Sequence, residues 1–218
     1  ASAFLDLQDA LDVAISGDQI WVAEGTYTPT DLDGLTDPRE ASYRLLAGVN
    51  IYGGFEGTEV DVDSRRPQKF RVVLTGDIND DDENGGDNSE NSYHVVTADN
   101  LVGNAPILDG VYIRAGNADG SGNNKYGGGL IVVNFASSSS AYPDIRQTRF
   151  VYNDAIHGGG VAILDSLCAA KLTRCVLANN DVTELGGAIL NNGFCRVNNC
   201  LLVANSAQSA GGAVYSAG

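Results

Sequence analysis

The sequence predicts an all-β solenoid, with short parallel strands wound into coils that stack on one another. Three observations carry that expectation. The second half of the chain repeats itself every 25 to 31 residues, the repeated segments are short and rich in Val, Ile, Leu, Phe and Tyr, and Gly and Asn punctuate them.

The repeat has two blocks. Gly-Gly, a small residue and then apolar residues occur at Gly127-Gly128-Gly129-Leu130-Ile131, Gly158-Gly159-Gly160-Val161-Ala162, Gly186-Gly187-Ala188-Ile189-Leu190 and Gly211-Gly212-Ala213-Val214-Tyr215, spaced by 31, 28 and 25 residues. Between them run Ile145 to Asn153, Leu172 to Asn180 and Val197 to Asn205, with a weaker earlier copy at Leu108 to Ile113. Apolar runs this short are strands rather than helices. Gly and Asn supply the left-handed conformations of sharp corners. One coil of about 25 residues then holds three short strands and three turns, and successive coils stack about 4.8 Å apart, each burying its inward residues on the next. A helix-pair solenoid would need amphipathic helices of about ten residues or more, and residues 93–218 offer none.

The N-terminus reads differently. Phe4, Leu7, Leu11 and Ala14 fall on one helical face, so residues 1–16 are expected to form a helix that caps the open end of the solenoid. Ser16-Gly17-Asp18 ends it, Gln19 to Ala23 follows as a strand, and Glu24 to Tyr27 as a turn. The expected organisation is one domain over residues 1–218: the cap over 1–16, irregular first coils with long loops over 17–92, and regular coils over 93–218.

The stretches from Phe4 to Leu11 and from Gly17 to Tyr27 resemble the opening of right-handed parallel β-helix proteins of the pectate-lyase-like superfamily. Val49 to Glu59, Ser92 to Val96 and the Gly-Gly repeats resemble a subgroup found in large secreted bacterial surface proteins. The resemblance covers almost the whole chain. It implies the fold and an extracellular or cell-surface location; for activity it leaves lyases, hydrolases, adhesins and passive fibres open.

Composition narrows the function. With 28 acidic and 13 basic residues the net charge is -15, which argues against a nucleic-acid or anionic-membrane surface. No run of 18 apolar residues exists, so no membrane-inserting helix is expected. A chain rich in Asp, Asn, Gly and Ser, with Lys only at positions 69, 125 and 171, looks like a secreted bacterial protein. It begins at Ala1 without an initiator Met or a signal sequence, so either a signal peptide has been removed or the chain is a fragment.

Catalytic chemistry is not expected. A polysaccharide lyase needs a base and a cation at the uronate, and a glycoside hydrolase needs two carboxylates at a set separation. No pair of Asp residues recurs at one coil's spacing. The basic candidates are Arg114, Lys125, Arg146, Arg149, Arg174 and His157. Tyr126 and His157 each precede a Gly-Gly step and should be neighbours on successive coils, but Leu185 and Ala210 hold the same place later, as at an ordinary turn.

The densest polar segment is Thr75 to Asn91. Asp77, Asn79 and Asp81 alternate as in calcium loops, and with Asp87 they form the expected Ca²⁺ site, since a bound cation would relieve the repulsion between carboxylates. Asp82 stands where an EF-hand has Gly, and Asn88 where it has Glu. The alternative is a solvated acidic excursion. Residues 28–44, 56–69, 117–126 and 136–143 are expected as further loops, the last with a serine run open to O-linked sugar.

Cys175 and Cys200 hold equivalent repeat positions, with Val111 and Thr148 in earlier coils, and are expected as a buried thiol ladder. Cys168 and Cys195, 27 residues apart and nearer a turn, are the disulfide candidates. Phe70, Phe150, Leu177 and Leu202 are expected in one core ladder, Trp21 in the cap or first-coil core, and Asn153, Asn180 and Asn205 as a ladder of turn residues rather than ligands. The sequence stops at Ala213 to Gly218 inside a repeat with no capping element, as in a fragment or a chain whose end docks on another subunit. The function expected is therefore a non-enzymatic structural or adhesive element of a bacterial surface, acting by self-association, filament assembly or glycan contact. A polysaccharide-cleaving enzyme and a carbohydrate-binding module are the alternatives.

Overall fold

The computed structural model describes residues 3–30, 32, 34, 36–82, 86–133 and 142–217. Most of the serine run lies outside the described residues. The chain climbs through four sheets, every strand pairing being parallel. The first sheet holds Gln19–Ala23, Asn50–Phe55, Ile107–Asp109, Asp144–Arg146, Ala169–Thr173 and Phe194–Asn198. The second holds Gly25–Tyr27, Val72–Thr75, Val111–Arg114, Arg149–Val151, Val176–Ala178 and Leu201–Val203. A four-stranded third sheet holds Asn117–Ala118, Asp154–His157, Asp181–Leu185 and Ser206–Ala207. The fourth holds Tyr43–Arg44, Val96–Asp99, Leu130–Val133, Val161–Ile163, Ile189–Asn191 and Val214–Ser216.

This is the stacked parallel β architecture expected, with one correction. From Ile107 onward the chain visits four sheets per coil rather than three. The extra strand is the short segment before each Gly-Gly step, too polar in Asp181-Val182-Thr183-Glu184-Leu185 to read as a strand of a core. It encloses its own small cluster of Ala118, Ala155 and Val182, separate from the main core.

The main core is built from columns of residues in register. Tyr27, Leu74, Ile113, Phe150, Leu177 and Leu202 stack in the second sheet, so Leu74, not Phe70, completes the column expected for Phe150. Ile51, Leu108, Ile145 and Leu172 do the same in the first sheet, each at most 2% exposed. The Gly-Gly repeat also has a physical cause. Gly127, Gly158, Gly186 and Gly211 turn the corner at φ of 68°, 66°, 72° and 68°. The next glycine leaves no room for a Cβ: one on Gly128 would strike the carbonyl oxygen of Asp154, and one on Gly187 that of Gly212.

The helix is Leu7–Val13, shorter than expected. Asp6 caps it by accepting the Gln8 N–H at 3.1 Å, and Leu7, Ala10 and Leu11 are buried against the first coil. Phe4, expected on the buried face, is 56% exposed. Trp21 is likewise corrected: it points outward from the first sheet and stacks on Phe55 with ring centroids 4.8 Å apart. Among the described residues no helix is long and apolar enough to cross a membrane.

Candidate functional site

One corner of the coil, the one that follows the second sheet, concentrates polar side chains. Asn153 donates through Nδ2 to the Ile113 carbonyl and to Asn180 Oδ1, at 3.1 and 3.0 Å. Asn180 repeats the pattern to the Phe150 carbonyl and to Asn205 Oδ1, at 3.0 and 2.8 Å, and Asn205 donates to the Leu177 carbonyl at 2.8 Å. Asn153 and Asn180 are fully buried. Each side chain serves as donor and acceptor at once, so the ladder satisfies itself from coil to coil.

Asp77 occupies the same corner in an earlier coil. It stands two residues beyond Thr75, as Asn153 stands two beyond Val151, and Thr75 and Val151 share a column through Arg114. Here the chain leaves the coil for the acidic excursion. Asp80 takes a left-handed turn, φ 55°, and the Asp81 N–H donates to Asp77 Oδ1 at 3.1 Å. The excursion returns through Glu90 and Asn91. As a result Asp77, Asp81, Asp82 and Glu90 each bring one carboxylate oxygen to a common point, all within 4.8 Å of one another.

Asp77 and Asp81 are in the cluster. Of the other two expected ligands, Asn79 is exposed, and the exposed Asp87 accepts the Ser89 N–H at 2.8 Å. Asp82 and Glu90 are the other two members of the cluster. The alternating template assumes that one continuous run wraps the ion, whereas here Glu90 comes back from the far side of the loop. The signal available in the sequence was topological: Thr75 leaves the stack and Ser92 re-enters it, so the residues flanking the two must meet.

The cluster concentrates negative charge in a largely buried place. Asp77 is 2% exposed and Asn91 1%. Asn91 donates through Nδ2 to Asp82 Oδ2 at 2.9 Å, while its own Oδ1, Asp81 Oδ1 and Glu90 Oε1 are buried and have no hydrogen-bond partner among the described residues. Burial first, then the charges of Asp77 and Asp81, push the Asp82 carboxyl up despite its bond from Asn91 and the nearby Arg114. Burial, and behind it the charges of Asp81, Asp82 and Asp87, raises Glu90 too. A set of hard oxygen donors with orphaned acceptors fits a Ca²⁺-type cation, which would satisfy them together. The cluster borders a cleft of about 410 Å³ that also takes in Asp154, raised by burial and by Asp181.

The other candidates fall into structural roles. Tyr126 and His157 do stack, centroids 5.0 Å apart, and Leu185 bridges Ala210 at the same turn. Burial lowers the His157 pKa, against the pull of Glu184 at 3.6 Å. His94 is buried on the Gly127 carbonyl, 3.1 Å from Nδ1, and its pKa falls to about 4. Arg146 and Lys171 both contact Asp144 Oδ2, at 2.6 and 3.0 Å.

All four cysteines are thiols. Cys175 and Cys200 form the expected ladder below Thr148, with the Cys175 N–H on Cys200 Sγ at 3.3 Å and Cys175 Sγ on the Ile145 carbonyl at 3.5 Å. The Cys168–Cys195 pairing is corrected. Register sets Cys195 beside Ala170, and Cys168 stands two residues earlier, passing its carbonyl to the Phe194 N–H. The two side chains therefore belong to different columns.

Compared with known proteins, the chain matches no family model, and neither a curated protein nor a solved structure shows significant similarity to it.

Proposed function

We propose that this chain is a structural or adhesive, non-catalytic β-helix that works outside the cell at a bacterial surface. The observation that supports this most directly is where the recurrent polar residues go. Asn153, Asn180 and Asn205, and Thr148, Cys175 and Cys200, hold one coil to the next rather than converging on a substrate position. Right-handed winding, as in the pectate-lyase-like superfamily, agrees with the strong preference of parallel crossovers for that hand.

The acidic corner is read as a Ca²⁺ site of Asp77, Asp81, Asp82 and Glu90, with the Asn91 carboxamide beside them, which stiffens the longest acidic loop. Self-association is proposed as the contact by which such an element would act. Val197 and Val214 continue the core columns of Leu172 and Ile189, yet they are 42% and 46% exposed, against 0% and 1% for those neighbours. A coil in the same register, from this chain's own continuation or from a second copy, would cover them.

The test is electron microscopy and sedimentation of the native material, with and without a calcium chelator, beside an assay for reducing ends released from polysaccharides. Ordered fibres or oligomers without cleavage support the reading, and loosening by chelator supports the calcium role. Dispersed monomers overturn the assembling form, and any polysaccharide cleavage overturns the non-catalytic reading.

A further inference from the structure

One arginine fastens the acidic corner from outside it. Pro38–Glu40 is a single 3₁₀ turn, which Asp37 caps by accepting the Arg39 N–H at 3.0 Å. Arg39 stands 52 residues before Asn91 in the chain, yet its Nε donates to the Asn91 carbonyl at 2.8 Å. Its Nη2 donates to the Asn117 carbonyl at 2.8 Å and to Asp119 Oδ1 at 2.7 Å. Arg39 Cζ lies over the Tyr93 ring, 4.1 Å from the centroid, and the Tyr93 N–H donates to the Arg39 carbonyl at 2.8 Å. Glu40 joins the same attachment by accepting from Asn124 Nδ2 at 2.7 Å. The Arg39 side chain is 17% exposed.

These partners carry the acidic excursion back to the stack. Glu90 brings its carboxylate to the cluster, and Asn91 orients Asp82 through Nδ2. Ser92 then rejoins the coil by donating its N–H to the Gly76 carbonyl at 2.8 Å. The outgoing limb leaves directly from the strand Val72–Thr75, so Asp77 is held by the sheet. The returning limb reaches its first strand only at Val96, so Glu90 and Asn91 must be held by other means. Asn117 supplies part of that hold, its N–H donating to the Ser92 carbonyl at 2.8 Å and its Nδ2 to the Asn88 carbonyl at 2.7 Å. Arg39 grips Asn91 and Asn117 together.

We infer that Arg39 is the positioning residue of the acidic corner, so that cation binding and the docking of the 37–40 turn are coupled. The inference rests on the calcium reading above and adds its regulation. The bonds of Arg39 end on two carbonyls and on Asp119, so it acts through the backbone that carries Glu90 and Asn91. The guanidinium fork suits this task, because its Nε and Nη2 hold two levels of the stack at a fixed spacing; the single ammonium of a lysine cannot. Residues that orient a metal's ligands from behind carry about ten- to a hundredfold of its affinity. Linkage makes the coupling reciprocal: the ion must tighten the turn by the factor by which the turn tightens the ion.

Charge alone predicts the opposite sign. A guanidinium near four carboxylates repels an incoming cation, so its loss would strengthen cation binding. Positioning predicts that the loss weakens it.

The experiment is calorimetric titration of the whole chain with Ca²⁺, beside amide hydrogen exchange with and without the ion. The variants are Arg39→Gln, Arg39→Lys and, as a control, Arg65→Gln, with circular dichroism confirming their fold. Arg65 clamps a different loop onto the first sheet, through Asp109 at 2.8 Å and the Gly53 carbonyl at 3.1 Å. Arg39→Gln should weaken Ca²⁺ by about tenfold or more, and Arg39→Lys should weaken it although the charge remains, while Arg65→Gln should stay within about twofold of wild type. In the wild type, which needs no variant to fold, Ca²⁺ should slow exchange at the Tyr93 and Ala41 amides, whose bonds to the Arg39 and Pro38 carbonyls belong to the clamp. Equal or tighter binding by Arg39→Gln, an equal loss in Arg65→Gln, or exchange at those amides that the ion does not slow would each overturn the inference and leave the calcium site standing. Absence of Ca²⁺ binding by the wild type would overturn the calcium site and the inference with it.

Discussion

The same corner of the coil is turned in two chemically opposite ways. In the later coils it carries Asn153, Asn180 and Asn205, and in an early coil Asp77. The carboxamide is donor and acceptor together, so it can repeat down a stack without limit, each member satisfying the next. The carboxylate only accepts. It cannot donate to a neighbour of its own kind, and the chain at Asp77 instead loops out and collects three more carboxylates. With Asn the corner is closed by the protein itself; with Asp77 it gathers carboxylates that the proposed cation would complete. A one-atom difference in the side chain separates a scaffold element from a candidate site.

The largest effect is expected from converting one corner into the other. Asn153→Asp removes the donations to the Ile113 carbonyl and to Asn180 Oδ1 and sets a charge against buried oxygens. It should cost about 4 kcal/mol and lower the thermal midpoint by about 10 °C. A midpoint within a degree or two of wild type would mean that the ladder is not what holds these coils.

The next effect belongs to the cation. Ca²⁺ at a hundredfold excess over its dissociation constant should stabilise the chelated protein by about 2.7 kcal/mol. The reciprocal change, Asp77→Asn, should abolish that gain, and Asp82→Asn and Glu90→Gln should each weaken it. Asn79→Ala, at an exposed position, should not. Calorimetric titration and thermal melts read all four, and an Asn79→Ala as damaging as Asp77→Asn would restore the linear-loop ligand set.

A smaller, pH-dependent difference follows. Asp82 and Glu90 are raised chiefly by burial, so both take up protons on folding. Their contribution is present below the unfolded pKa and is lost as pH rises through the folded one. His94 works the other way: buried and lowered to about 4, it costs stability as pH falls from about 6.5. A variant with both lowered histidines replaced, His94→Gln/His157→Gln, in chelator should therefore gain slightly, within about 1 kcal/mol, between about pH 7 and pH 5, and Ca²⁺ should reverse the sign. Melts across that range that show no reversal would remove the cation from the corner.

The smallest effect concerns the thiol ladder at the corner between the first and second sheets. Burial pushes the Cys175 thiol up to about 12, and Cys195 to about 11. Dithiothreitol should shift the melting midpoint by less than about 1 °C, and thiol reagents should miss Cys175 in the native state. A reductant-sensitive midpoint would bring back a disulfide.

Much of the fold was legible because a solenoid writes its period into the chain. Leu172 to Asn180 and Val197 to Asn205 align by eye, and that alignment placed Cys175 over Cys200 and Asn180 over Asn205. The left-handed corners were only half legible. Gly127 and Gly158 announced themselves, but Tyr152, Arg174 and Ala204 adopt positive φ too, at 56°, 56° and 52°, and nothing in those side chains asks for it. Stacking against the neighbouring coils imposes it there. The candidate site was legible as composition and not as geometry, since the acidic run was evident and the carboxylates that converge in it were not.

By itself the sequence determined the coil's period, its inward columns and the concentration of carboxylates in one excursion, because these depend on residue type at a fixed spacing. The tertiary structure decided the rest. It added a fourth strand to the coil, brought Glu90 back to Asp77, slid Cys168 out of line with Cys195, and clamped Arg39 onto the carbonyls of Asn91 and Asn117. Each depends on register between coils, a distance across the stack that no single stretch of chain encodes, and one residue of slip would send every side chain to the opposite face.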